Sequence, residues 1–329
     1  MATTNSDHDQ ASLRILVTGA DGFIGSLLCP YLQSSGYSVR RAVWKAQPSH
    51  DSTADWVIVG DIGPDTDWSN ALKHVDAIIH LAGRAHVLRE TALNPLDEFR
   101  RVNVGGTIQL ATMAAENGIK RLVFISSIGV NGNSAPKNSP FTEHAPPAPT
   151  LPYAISKWEA EQALHSIATK SDLGIVVVRP PLVYGPSVPG NFLRLLRLAN
   201  YGFPLPLGNI KNCRSFVSRT NLISFLHRCI EYPNAAGEIF LISDSEDVST
   251  TQLIRKISHH LERPARLIPI PNSLANICGS ILGKEHTVDQ LWGSLVVDSS
   301  KARQLLDWEP PISMDEELAL TAQWFKENR

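Results

Sequence analysis

The chain has 329 residues, a formal net charge of −2, 43% hydrophobic residues and 19% charged ones. That length allows one large α/β unit or two lobes around an ample core, and the charge balance lacks the basic footprint of a nucleic-acid binder or of a protein held on a membrane. Cys29, Cys213, Cys229 and Cys278 are scattered without C-x-x-C spacing, which argues against a zinc site or a disulfide framework and suits a reducing, cytoplasmic compartment.

The start, Met1 to Ser12, is polar and reads as a disordered tail, lacking the basic and apolar regions of a signal peptide. Leu13 to Thr18 has the length and β-branching of a buried strand. A glycine-rich turn follows and opens a helical pattern that runs to Ser35 and ends at Gly36. Strands are predicted at Tyr37–Trp44, Trp56–Val59 and Ala77–Leu81, then a long helix over Pro95–Asn117, a strand at Arg121–Ser126, a helix from Pro152 and a strand at Gly174–Arg179. Strands alternating with helices imply right-handed crossovers and a parallel sheet covered on both faces, with ligands beyond the carboxyl ends of the strands.

From about Pro180 the prolines and glycines become dense and the elements shorter. Helices are predicted near Asn191–Asn200, Thr220–Glu231, Thr250–Leu261 and Met314–Lys326, with a strand at Glu238–Ile242. The expected division is therefore a tail over 1–12, a first domain over 13–180, and a smaller lobe over 181–329 with some segments returning to the first. Leu267 to Leu282 is apolar but broken by prolines and by Asn272, Ser273 and Asn276, which predicts a buried or groove-lining helix. No apolar run reaches the ~18 residues of a membrane span, so no insertion is expected.

Two motifs carry chemistry. Gly19-x-x-Gly22-x-x-Gly25 stands between a strand and a helix, where glycines permit a tight turn and close approach of backbone to a pyrophosphate, and where the helix N-terminus supplies N–H donors. Tyr153-x-x-x-Lys157 opens the helix that begins near Pro152, so the two side chains share a face one turn apart. An ammonium beside a phenol stabilises the phenolate, and such a pair moves protons on or off an alcohol oxygen.

Thr18-Gly19-Ala20-Asp21-Gly22-Phe23-Ile24-Gly25 with Tyr153-x-x-x-Lys157 resembles the extended short-chain dehydrogenase/reductase superfamily, and within it the NAD(P)-dependent nucleotide-sugar epimerase/dehydratase family. Further matches are Gly60-Asp61-Ile62, His80-Leu81-Ala82-Gly83, Asn103-Val104-Gly105-Gly106-Thr107, Phe124-Ile125-Ser126-Ser127 and a closing Leu306-Asp307-Trp308. The resemblance implies a Rossmann-type doubly wound sheet with a smaller C-terminal substrate lobe. It implies that Gly19, Gly22, Phe23, Ile24 and Gly25 cradle NAD or NADP, that Asp61 and Ile62 meet its adenine, and that Leu81, Ala82 and Gly83 line it. It implies a catalytic set of Ser127, Tyr153 and Lys157, with Ser126 as the alternative hydroxyl and Asn103 steadying the site. Asn191 and Arg214 resemble the family's contacts to the diphosphate of a UDP-sugar, and family members commonly pair as homodimers through the two helices that here carry Leu110, Met113, Ala114 and Trp158, Leu164, Ile167.

Departures from the family pattern narrow the activity. Ile128-Gly129 stands where dehydratases carry Asp-Glu and supplies neither acid nor base, which leaves a 4-epimerase of the UDP-glucose or UDP-GlcNAc type, or an NADPH-consuming reductase of a UDP-4-keto-6-deoxy sugar in surface-polysaccharide synthesis. The second strand ends at Val43 rather than at the acidic residue of NAD-specific members; Arg40, Arg41 and Lys45 either face a 2′-phosphate or are solvated edge charges. Ser215-Phe216 replaces an acidic-aromatic pair, Leu182 an Asn, and Asn131 a Tyr. A third reading, a dinucleotide-sensing regulator that has lost its chemistry, is opposed by the intact Tyr153 and Lys157.

Overall fold

The apolar run after residue 13 forms an inner strand of the sheet in a computed structural model that describes residues 12–47, 51–85, 94–269 and 292–328. Seven strands are joined in the order β3-β2-β1-β4-β5-β6-β9, every pair parallel: β1 Arg14–Thr18, β2 Ser38–Val43, β3 Asp55–Ile58, β4 Ala77–His80, β5 Arg121–Ile125, β6 Gly174–Arg179 and β9 Ile239–Leu241. β1, β4, β5 and β6 are buried almost throughout, as strands covered on both faces must be. The strand order reverses between β1 and β4, and a crevice opens at such a switch point beyond the carboxyl ends.

One face is covered by α1 (Gly25–Ser34), α6 (Arg219–Glu231) and α8 (Ser300–Leu306), whose Leu28, Phe225 and Leu306 meet Val17 and Val123 of the sheet. The other is covered by α3 (Gly106–Glu116) and α4 (Pro152–Ala168), whose Leu110, Ala114 and Leu164 meet Leu122 and Phe124. A separate core joins α5 (Gly190–Tyr201), α7 (Thr250–His260) and α9 (Met314–Glu327) through Phe192, Leu196, Ile257 and Leu318, packed on Tyr184. Capping boxes at Ser249/Gln252 and Ser313/Glu316 fix where α7 and α9 begin. Segments beyond residue 181 return to the sheet, since β9 extends it and α6 packs on it.

The long helix expected over Pro95–Asn117 is three pieces: α2 (Pro95–Phe99), a π-helical segment (Arg100–Gly105) and α3. The short parallel pair β7 (Leu182–Tyr184) and β8 (Phe216–Ser218), and α8, were not expected. The expected tail falls outside the described residues up to 11, and the expected groove-lining helix does so from 270. Among the described residues no helix is long and apolar enough to cross a membrane.

Candidate active site at the switch point

Gly19 has φ +66, and a Cβ on it would lie 3.1 Å from the amide nitrogen of Ala82, so the turn after β1 passes the end of β4 without room for a side chain. A side chain on Gly25 would strike the carbonyl oxygen of Gly19, so the last glycine lets α1 start tight against the turn. The first turn of α1 has no side-chain cap and no acidic residue, so the positive end of its dipole faces an incoming anion unopposed. The Ala82 amide donates to Thr18 Oγ1 at 3.1 Å, and Thr18 in turn is 2.7 Å from Nδ1 of His80, whose Nε2 is 3.0 Å from Thr107 Oγ1. Burial, helped by Lys157, pulls His80 down to about 3, so it acts as a neutral spacer between β1, β4 and α3.

The π-helical turn aims Asn103 into this crevice, an arrangement frequent at functional sites. Asn103 is buried; its Oδ1 accepts from the Arg84 amide at 2.8 Å, and its Nδ2 donates to the Arg84 carbonyl at 3.1 Å and to Ser156 Oγ at 3.0 Å. Ser156 bonds the Tyr153 carbonyl at 2.8 Å. One amide therefore ties the loop after β4 to the first turn of α4. A Cβ on Gly83 would lie 3.0 Å from Asn103 Oδ1 and 3.4 Å from Lys157 Nζ, so a side chain there would crowd both groups.

Pro152 starts α4 and fixes Tyr153 and Lys157 on its sheet-facing side. The buried Lys157 ammonium donates to the Ile125 carbonyl at 2.8 Å and stands 4.5 Å from the Phe124 ring centroid and 6.0 Å from that of Tyr153. Burial pulls its pKa down to about 8 while Glu161, one turn on, opposes the fall. The expected lowering of the Tyr153 pKa is corrected: burial pushes that phenol up to about 12.

The two candidate hydroxyls separate cleanly. Ser126 is buried and its hydroxyl donates to Glu161, whose carboxylate also takes Arg179 Nε at 3.0 Å. Arg179 reaches Asn131 Oδ1 at 3.0 Å, so Ser126, Glu161, Arg179 and Asn131 form one closed network under α4. Ser127 is half-buried, caps the turn Ile128–Val130 and accepts from the Gly129 amide at 3.1 Å. A Cβ on Gly129 would be 3.4 Å from Ser127 Oγ and 3.2 Å from Ala154 Cβ, which sets this hydroxyl against the turn that carries Tyr153. Ile128 is buried with Leu241, Leu295 and Val297 and itself offers neither acid nor base. Asn131, expected where relatives carry Tyr, belongs to the buried network. Ser156, Glu161 and Arg179 had not been singled out from sequence; the readable signal was an acid four residues after Lys157 on an apolar helix face.

The remaining candidates are dispersed. Asp61 follows β3 and pairs with Arg101 at 2.9 Å, while Arg101 also reaches the Ile62 carbonyl at 3.3 Å. Ile62 and Leu81 are partly buried against the two core layers. Phe23 offers its carbonyl to Arg219 at 3.1 Å, and Ile24 caps α1. Arg40 is held by Asp55 at 2.9 Å and by the carbonyls of Asn70 and Lys73; Arg41 by Gln33 at 2.6 Å with Trp56 beneath it; Lys45 lies over Trp44. Asn191 is exposed at the start of α5 and accepts from Arg194 at 3.3 Å. Arg214 donates to the Gly293 carbonyl at 2.8 Å, makes no ion pair among the described residues, and is lowered by burial.

A profile of the NAD dependent epimerase/dehydratase family matches residues 15–243. The UDP-glucose 4-epimerase of Vibrio cholerae is 41% identical over 313 residues, 94% of this chain and 95% of that protein. The N-acetyl-α-D-glucosaminyl-diphospho-ditrans,octacis-undecaprenol 4-epimerase of Escherichia coli O157:H7 is 26% identical over 275 residues, 82% of this chain and 80% of that one. Among solved structures, UDP-glucuronic acid 4-epimerase from Bacillus cereus in complex with UDP-glucuronic acid and NAD is similar at TM-score 0.76 and 25% identity, over 96% of this chain and 100% of that chain.

Proposed function

Because the chain belongs to the NAD dependent epimerase/dehydratase family, we propose that it is an NAD-dependent 4-epimerase of a UDP-sugar. What carries this reading is the 41% identity to a UDP-glucose 4-epimerase over 94% of the chain, and it is supported by Lys157 standing 6.0 Å from the Tyr153 ring centroid beside the loop of Gly83. The three relatives above differ in their sugar and in what carries it, and share inversion at position 4.

The residues present fit the dinucleotide. Gly19, Gly22, Phe23, Ile24 and Gly25 would hold its pyrophosphate at the uncapped start of α1. Asp61 and Ile62 would meet the adenine, and Leu81, Ala82, Gly83 and Asn103 would line the nicotinamide half. When bound, NAD accepts a hydride from the sugar and gives it back. Ser127 hydrogen-bonds the 4-hydroxyl and passes its proton to Tyr153; Lys157 holds the ribose and, by turning from the Ile125 carbonyl, offsets the burial that otherwise keeps the phenol protonated. The 4-keto sugar then turns over, and Tyr153 returns the proton through Ser127. The uniform diphosphate grip falls to Arg214 and Asn191.

NAD is favoured over NADP because Arg40 and Arg41 are already occupied, leaving Lys45 alone of the three cations. We also propose a homodimer through α3 and α4, with one correction: Leu110, Ala114 and Leu164 are buried in the chain's own core and Met113 and Ile167 pack partly against it, so the contact would fall on Trp158, as expected, joined by Ile108 and Thr112. Free Cys29 and Cys229 suit a cytoplasmic enzyme of nucleotide-sugar supply to surface polysaccharide. Mass analysis of the cofactor released on denaturing the purified protein tests the reading. Retained NAD is expected; an empty protein whose turnover consumes NADPH would replace the epimerase with a 4-keto reductase.

A further inference from the structure

The outer end of the lobe formed by α5, α7 and α9 carries a surface that the reaction does not use. On α5, Arg194, Leu198 and Tyr201 recur at helical spacing on the side opposite the buried Phe192, Leu196 and Ala199. Leu198 is 45% exposed and Tyr201 66%. Gly202, at φ +64, turns the chain so that Phe203, 67% exposed, stands with its ring centroid 6.0 Å from that of Tyr201. Ile268, 51% exposed, is brought to the same end by the bridge of Leu205 to Leu267, in which the Ile268 amide donates to the Leu205 carbonyl at 2.8 Å. Exposed apolar side chains gathered at one end of a lobe mark an interaction surface.

The charge carried by the two segments has one sign. Residues 191–211 include Arg194, Arg197 and Lys211 and no acid, and residues 263–269 include Arg263 and Arg266 and no acid, in a chain of net charge −2. Arg197, Arg263 and Arg266 are exposed, and the neighbouring Glu262 is paired with Lys326 at 2.7 Å. Two copies meeting through this patch would set these cations against one another, so a second chain is a poor occupant. Exposed aromatic and aliphatic side chains carried on basic segments match an anionic bilayer surface, which offers apolar depth and negative potential together.

We propose that this end of the lobe docks peripherally on anionic lipid. The contact leaves the sheet, the glycine turn and α4 free, and a net charge of −2 over the whole chain is compatible with a local excess of cations. It does not depend on which sugar is turned over.

The experiment is co-sedimentation of the full chain with phosphatidylcholine vesicles with and without phosphatidylglycerol, over a range of salt. The expected result is binding to the anionic vesicles that weakens with salt. Tyr201→Ser with Phe203→Ser should weaken it by roughly tenfold or more, and Arg197→Gln, Arg263→Gln and Arg266→Gln by roughly fivefold each, with turnover of soluble UDP-sugar unchanged. Circular dichroism and thermal melting of the variants check that they fold. Failure of the wild type to bind, equal binding to neutral vesicles, or binding unaffected by these substitutions overturns the proposal. So does a change of mass in light scattering for the aromatic variant without any vesicle binding, which would assign the patch to another copy of the chain.

Discussion

Glu161→Gln offers the sharpest test of the network beneath α4. Glu161 and Arg179 pair with side chains 2% exposed, and the carboxylate also holds the Ser126 hydroxyl. The amide keeps one acceptor for Arg179 Nε but turns an NH₂ against the guanidinium, while Arg179 retains Asn131 at 3.0 Å. Removing one partner of a buried pair costs about 3–5 kcal/mol; with Asn131 still in place, about 3 kcal/mol is expected. With a slope of about 3 kcal/mol per molar, that lowers the urea midpoint by about 1 M. Glu161 also opposes the desolvation of Lys157, whose pKa lies at about 8. Without the acid, the ammonium loses its proton at lower pH, so the alkaline limb of kcat/KM moves down. Glu161→Met with Arg179→Met should recover most of the stability, since a buried pair is often replaceable by apolar groups, yet leave the alkaline limb displaced. A loss of stability below about 1 kcal/mol, or an unmoved limb in both variants, would refute this reasoning.

Tyr153→Phe and Ser127→Ala should each lower kcat by at least ~10²-fold with the fold intact, whereas Ser126→Ala should act on the melting temperature through Glu161; urea melts beside initial rates separate the two classes. Arg214→Ala should raise KM by roughly tenfold to 150-fold with little change in kcat, because a diphosphate is gripped alike in substrate and transition state; an unchanged KM would return Arg214 to a structural role on the Gly293 carbonyl.

Much of the architecture was legible because its signals are local. The strand before Gly19, the turn and the first helix follow from β-branching and glycine spacing, and the alternation of strands and helices implies the parallel order seen. β7 and β8 have three residues each, too few for a period to show. The π-helical segment was invisible because Arg100–Gly105 is too short for its own period to show, yet it is what carries Asn103. In the site, residue types and spacing named Tyr153 and Lys157, but the direction of the Tyr153 shift depends on burial, which is tertiary. Likewise Arg40 and Arg41 looked free beside β2 until Asp55 and Gln33 were brought to them by neighbouring elements. Ser126 and Ser127 are adjacent and chemically alike, and alternation along β5 sends one to Glu161 and the other to the crevice.

The most direct measurement is proton NMR of UDP-glucose with the purified protein in D₂O and no added cofactor. The account predicts growth of the UDP-galactose signals with the hydrogen at position 4 retained, because the hydride returns to the sugar it left. No interconversion without added NADPH, or deuterium appearing at position 4, would contradict it.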